Sequence, residues 1–207
     1  MVKVKVCGIT RLDDALLAAE LGAWAIGFIF YPKSPRYITP EDAFNIAKVM
    51  KDRGVKTVGV FVNESPQIVN HVANVVKLDY VQMHGVEPNE ECLKLQLPYI
   101  KNIRNVEEPQ LYTGAIAFLV DASDSKNWGG TGKLADWDFA KMIKAQNKQL
   151  MLSGGISIDN IDKALKDVAP DIVDVSSSLE VAPGVKDHKI MSEFFKKIRN
   201  LEIEIND

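Results

Sequence analysis

Residues 2–30 read VKVKVCGITRLDDALLAAELGAWAIGFIF, and this stretch decides the fold. Val2, Val4 and Val6 alternate with Lys3, Lys5 and Cys7, which is the period of a strand. A helical stripe of Leu12, Leu16 and Ala19 follows, opened by Thr10 with Asp13 as a weak capping box and stopped at Gly22. A second apolar run, Ala25–Phe30, then begins. Strand, helix, strand in this order is the signature of parallel strands joined by a crossover.

The pattern repeats along the chain. Strand-like runs cover 2–6, 25–30, 57–62, 80–84, 99–103, 116–121, 149–152 and 172–176. Between them, Thr39-Pro40 and Ser65-Pro66 each pair a cap with a first-turn proline, and a last helix runs on from Asp187. The fifth unit is the weakest, because 107–113 holds a proline and only a short helical pattern. Eight units in 207 residues leave about 26 residues each, near the lower size of a (β/α)8 barrel. We expect an α/β fold, a single-domain (β/α)8 TIM barrel spanning 1–207. An open doubly wound sheet is the rival, and eight repeats of similar length favour closure.

Composition narrows the class. The chain is 46% hydrophobic and 26% charged, with a formal net charge of −3, as expected of a globular protein and not of a disordered one. Mild acidity gives no general attraction for nucleic acid or an anionic membrane. The longest nearly unbroken apolar run, 21–31, falls well short of the ~20 residues of a membrane helix. The opening residues carry no apolar signal-peptide block. Cys7 and Cys92 form neither a C-x-x-C pair nor a disulfide framework, which suits a reducing cytoplasm. His71, His84 and His188 lack the spacing of a zinc site.

The chemistry gathers at strand ends: Cys7, Gln82 and His84, Asp121, Gly154-Gly155, and Ser176-Ser177. In a barrel these ends share the face on which active sites are built. Cys7 precedes a strand-to-helix turn, and Lys5 below it points inward, so both the helix terminus and the ammonium are expected to favour a thiolate and a general base. Asp121 ends the apolar run 116–120, where desolvation favours a protonated acid. A core cysteine and a loop carboxylate are the bland alternatives. Glycines and serines in the loops after strands seven and eight point to a phosphorylated small-molecule substrate. Gly129-Gly130-Thr131-Gly132 is read as a loop over the site, without the spacing of a P-loop. Arg36 offers a planar fork for a substrate carboxylate.

Many motifs in order resemble one family. They are Lys5-Val-Cys7-Gly-Ile-Thr10, Gly27-Phe-Ile-Phe30, Ser34-Pro-Arg36, Val58-Gly-Val-Phe-Val-Asn63, Val81-Gln-Met-His84-Gly85, Leu119-Val-Asp121, Gly129-Gly-Thr-Gly132, Asp136-Trp137, Leu152-Ser-Gly-Gly155, Asp174-Val-Ser-Ser177 and Gly184-Val-Lys-Asp187. The chain thereby resembles the phosphoribosylanthranilate isomerases of tryptophan biosynthesis. The resemblance implies a cytoplasmic (β/α)8 barrel, without metal or organic cofactor, acting as a monomer or homodimer. The implied reaction is an Amadori rearrangement of an N-phosphoribosyl anthranilate to the corresponding 1-deoxyribulose phosphate. It implies Cys7 as base and Asp121 as acid. Arg36 would meet the anthranilate carboxylate, and His84, Gly154, Gly155, Ser176 and Ser177 would line the substrate site. Two positions depart from the family pattern: Ser178 stands where a glycine is usual, and Ala135 where an aromatic is usual. Epimerases and histidine-pathway isomerases of related barrels are rivals, as is a silent barrel that only binds a phosphorylated metabolite.

Overall fold

The computed structural model describes residues 2–122 and 134–206, the side chains of 202 and 204–206 excepted. Eight parallel strands close into a barrel in sequence order. In chain order the units are β1 (Lys3–Cys7) and α1 (Leu12–Glu20), β2 (Ala25–Ile29) and α2 (Pro40–Lys51), β3 (Lys56–Phe61) and α3 (Pro66–Val76), and β4 (Tyr80–Met83) and α4 (Asn89–Cys92). They continue with β5 (Tyr99–Asn102) and α5 (Glu108–Leu111), β6 (Ala115–Val120) and α6 (Trp137–Lys144), β7 (Leu150–Leu152) and α7 (Ile161–Asp167), and β8 (Ile172–Val175). A 3-10 turn (Ser177–Leu179) and a small antiparallel hairpin, β9 (Glu180–Ala182) with β10 (Val185–Lys186), precede α8 (His188–Asn206). Among the described residues no helix is long and apolar enough to cross a membrane.

The closed ring is the barrel that the eight repeats predict, and β1 pairs with both β2 and β8 to seal it. Caps behave as read at α2 and α3: Thr39 and Ser65 accept from the backbone N–H groups of Asp42 and Ile68. The expected cap at Thr10 does not form. The helix starts at Leu12, and the Thr10 hydroxyl donates instead to the Gly184 carbonyl in the β9–β10 turn. That hairpin has no counterpart in the sequence reading. The fifth helix is a single turn, as its proline suggests, and so is the fourth.

Two apolar layers result from strand alternation. Val4, Val6, Phe28, Phe61, Tyr99 and Phe118 point outward and pack with the helices. Ala25, Val58, Ile100, Ala117, Leu119, Met151 and Ile172 fill the lower interior. Above that plug, the inward positions become polar.

Candidate active site

Each polar side chain inherits its direction from an inward strand register. Ala117 and Leu119 face inward on β6, so Asp121, two residues on, does too. Lys5 and Cys7 lead inward on β1, opposite the valines. Lys5 is completely buried, and its Nζ lies 2.8 Å from Asp174 Oδ1 of the adjacent β8. Burial alone would lower the Lys5 ammonium, but the Asp174 carboxylate, with Cys7, outweighs it and raises it.

Room for this pair comes from β2. Cys7 and Gly27 are partners in register. A Cβ on Gly27 would lie 2.8 Å from Cys7 Sγ and 3.1 Å from Lys5 Nζ. Only a residue without a side chain leaves space for both groups.

The expectation that Cys7 favours the thiolate is corrected here. Burial pushes the Cys7 thiol above its ordinary value, and Lys5 pulls it down without prevailing. The helix terminus does not help as expected, because α1 begins only at Leu12. Lys186 is a smaller cationic influence. Its ammonium donates to the Cys7 carbonyl at 2.7 Å and the Ser176 carbonyl at 3.1 Å, and pairs with Glu180 at 2.8 Å.

Among the described residues Asp121 makes two contacts through its carboxylate oxygens. Oδ1 accepts from the Ala122 N–H at 2.7 Å, and Oδ2 lies 3.3 Å from His84 Nε2. Gly154 closes over it: φ is +75°, and a Cβ there would sit 2.5 Å from the Ala122 nitrogen. His84 Nδ1 is 3.0 Å from Gln82 Nε2.

The loops after β7 and β8 lie side by side. The Ser178 hydroxyl donates to the Ile156 carbonyl, and Asn160 Nδ2 donates to the Gly155 carbonyl. Ser176 Oγ donates to the Cys7 carbonyl at 3.1 Å, so this loop also reaches β1. Ser178 sits inside the 3-10 turn without a left-handed φ, so its side chain is tolerated there. Ala135 is buried, and its N–H donates to the Gly154 carbonyl.

Arg36 is not a solvated charge, being only 8% exposed. Its guanidinium already grips a carboxylate of the chain, Glu180, through Nε and Nη2. Burial opposes the Glu180 charge, but Arg36 and Lys186 hold the carboxyl below its usual range. The sequence reading named Gln82 among the strand-end residues without giving it a role, and it did not single out Asp174, Glu180 or Lys186 as site residues, although Asp174 and Lys186 lie in motifs it quoted. Gly129-Gly130-Thr131-Gly132 lies outside the described residues. Among the described residues no group of three or more His, Cys, Asp or Glu could hold a metal. Cys92 sits in the core, and burial pushes its thiol up to about 11.

A family model described as N-(5'-phosphoribosyl)anthranilate (PRA) isomerase matches residues 4–197. The N-(5'-phosphoribosyl)anthranilate isomerase of Thermotoga petrophila is 44% identical over 208 residues, covering 97% of this chain and 100% of that one. The crystal structure of phosphoribosyl anthranilate isomerase from Thermus thermophilus superposes with a TM-score of 0.89 at 34% identity, covering 97% of this chain and 100% of that one. A phosphoribosyl anthranilate isomerase solved in complex with reduced 1-(o-carboxyphenylamino)-1-deoxyribulose 5-phosphate superposes with a TM-score of 0.82 at 41% identity, with coverages of 97% and 100%.

Proposed function

We propose that this chain, which belongs to the N-(5'-phosphoribosyl)anthranilate isomerase family, runs its reaction with Cys7 as general base and Asp121 as general acid. The activity is the family's: isomerisation of N-(5'-phosphoribosyl)anthranilate to 1-(2-carboxyphenylamino)-1-deoxyribulose 5-phosphate, a step of tryptophan biosynthesis. The observation that carries the residue assignment is the pair itself. Cys7 and Asp121 extend the inward registers of β1 and β6 at the same end of the barrel, each held by specific neighbours.

Asp121 gives its proton to the ring oxygen of the furanose. The C1–O bond breaks as the anilino nitrogen lone pair forms the C=N bond. Cys7 then takes the proton from C2, and the electrons of that C–H bond flow to the nitrogen, giving an enolamine. Tautomerisation to the ketone leaves C1 reduced and C2 oxidised, so no external oxidant or reductant is needed. The site must supply a protonated carboxyl and a thiolate, both against their ordinary states at neutral pH.

Binding energy comes from the ends of the substrate. Gly154, Gly155, Ser176 and Ser177 receive the phosphate, supported by the contact between their two loops. Arg36 receives the anthranilate carboxylate on the guanidinium edge that Glu180 leaves over. His84 lines the acid side of the pocket.

The test follows the loss of anthranilate fluorescence for wild type, Cys7→Ser and Asp121→Asn. Each substitution is expected to lower kcat by about 10²–10⁴-fold with KM largely kept, the usual worth of a general acid or base. Wild-type turnover in either variant overturns that residue's role.

A further inference from the structure

Two inward-facing residues of the β4 end form a chain with the acid. Gln82 and His84, two apart, both project into the barrel and both are buried. Gln82 Nε2 lies 3.0 Å from His84 Nδ1, and His84 Nε2 lies 3.3 Å from Asp121 Oδ2. The backbone of His84 is pinned as well, since Asn102 Nδ2 donates to its carbonyl at 3.2 Å. The second polar atom of the amide, Gln82 Oε1, is buried without a hydrogen-bond partner. Burying an unpaired amide oxygen is costly. A hydrocarbon side chain would avoid that cost, so the amide is explained by the bond its nitrogen makes to His84.

The direction of that bond has a consequence for the ring. An amide nitrogen only donates, so Nδ1 must accept, and the imidazole proton must sit on Nε2. Nε2–H then points at Asp121 Oδ2, while Oδ1 takes the Ala122 N–H. We propose that Gln82 is a positioning residue: it fixes His84 as the neutral Nε2–H tautomer, which orients Asp121 and stabilises the carboxylate left after proton donation. Another charge that acts on His84 is Asp174 on β8, which is itself paired with Lys5 on β1. An amide turned by half a rotation would put its oxygen on Nδ1–H. Nε2 would then be bare and would draw the Asp121 proton away from the substrate. The kinetic part of this inference rests on Asp121 being the acid; the tautomer does not.

Two-bond proton–nitrogen correlation spectra of protein labelled with 15N-histidine read the tautomer directly. The His84 signal is assigned by its loss in His84→Asn. Wild type is expected to show a neutral ring protonated on Nε2, and a ring protonated on Nδ1 overturns the proposal even if no Gln82 variant folds. In Gln82→Glu the carboxylate is an acceptor, so the Nδ1 site is expected to gain a proton. In Gln82→Met, of similar volume and with no N–H to donate, the Nε2–H preference is expected to relax. Losing a hydrogen bond to a charged group corresponds to about a 10–100-fold fall in kcat for both variants, with KM changed less. An unchanged tautomer with unchanged kcat in both variants overturns the proposal. If Asp121→Asn keeps full turnover while the tautomer follows Gln82, the acid assignment fails and the tautomer control stands. If Asp121→Asn is inactive and wild-type His84 carries its proton on Nδ1, only the present inference fails.

Discussion

Arg36 and Glu180 meet through two guanidinium nitrogens: Nε lies 3.0 Å from both carboxylate oxygens, and Nη2 lies 2.8 Å from Oε2. The pair joins the loop after β2 to the hairpin after β8, and Lys186 bonds the same carboxylate from the other side. A fork already held on one edge presents its other edge in a fixed direction.

Arg36→Lys removes that planarity and keeps the charge. KM for N-(5'-phosphoribosyl)anthranilate is expected to rise about 10-fold or more while kcat falls less, because the lost contact lies away from the reacting carbons. Steady-state kinetics on the fluorescence signal check this; an unchanged KM removes Arg36 from the binding site.

Glu180→Gln leaves two buried cations without their carboxylate. The cost is expected to be about 3–5 kcal/mol, read from urea unfolding. The sign with pH follows from the lowered Glu180 carboxyl. Its stabilisation is present above the ordinary carboxylate value and is lost as pH falls through the depressed folded value. Wild type should therefore lose stability in acid more steeply than the variant does. Parallel acid profiles would contradict the pairing.

Burial of Cys7 has a kinetic signature. Because the thiol of the free protein is pushed up, the rate of its alkylation by iodoacetamide should climb with pH to a midpoint above that of an ordinary exposed thiol. Cys92, also buried, is subtracted by repeating the measurement on Cys7→Ser. A midpoint below the ordinary value would mean that Lys5 overrides desolvation.

Gly27→Ala tests the close approach of β2 to β1. The added methyl meets Cys7 Sγ and the Lys5 ammonium, so one of them must move. A displacement of about 1 Å at a reacting group costs on the order of 10²-fold in kcat. Retained activity would show that the thiol and ammonium have slack that their distances deny.

Lys101 and Glu87 form a further buried pair, 2.8 Å apart, on the outer side of the barrel wall. Lys101 also donates to the Gly85 carbonyl at 2.7 Å. Lys101→Met strands the Glu87 carboxylate and is expected to cost about 3–5 kcal/mol in urea unfolding. At temperatures where the variant is folded, kcat/KM should stay near wild type, since Lys101 faces away from the site.

The barrel was legible because it repeats. Alternation in Val2–Cys7 already separates the valines that meet the helices from the lysine and cysteine that turn inward, and Thr39-Pro40 and Ser65-Pro66 mark helix starts by local hydrogen bonding alone. Strand-end chemistry was legible for the same reason: in a closed parallel ring, Cys7, His84 and Asp121 share a face wherever they stand in the chain.

The tertiary structure decided what depends on partners far apart in sequence. Nothing near Arg36 announces Glu180, 144 residues away, and nothing near Lys5 announces Asp174, 169 residues away. The Thr10 cap was lost to a hairpin turn 174 residues away. Even the state of Cys7 turned on burial, which depends on everything packed around it and not on Lys5 alone. Periodicity and capping are local and can be read along a chain. Charge pairing and desolvation are sums over space, and only the folded barrel sets them.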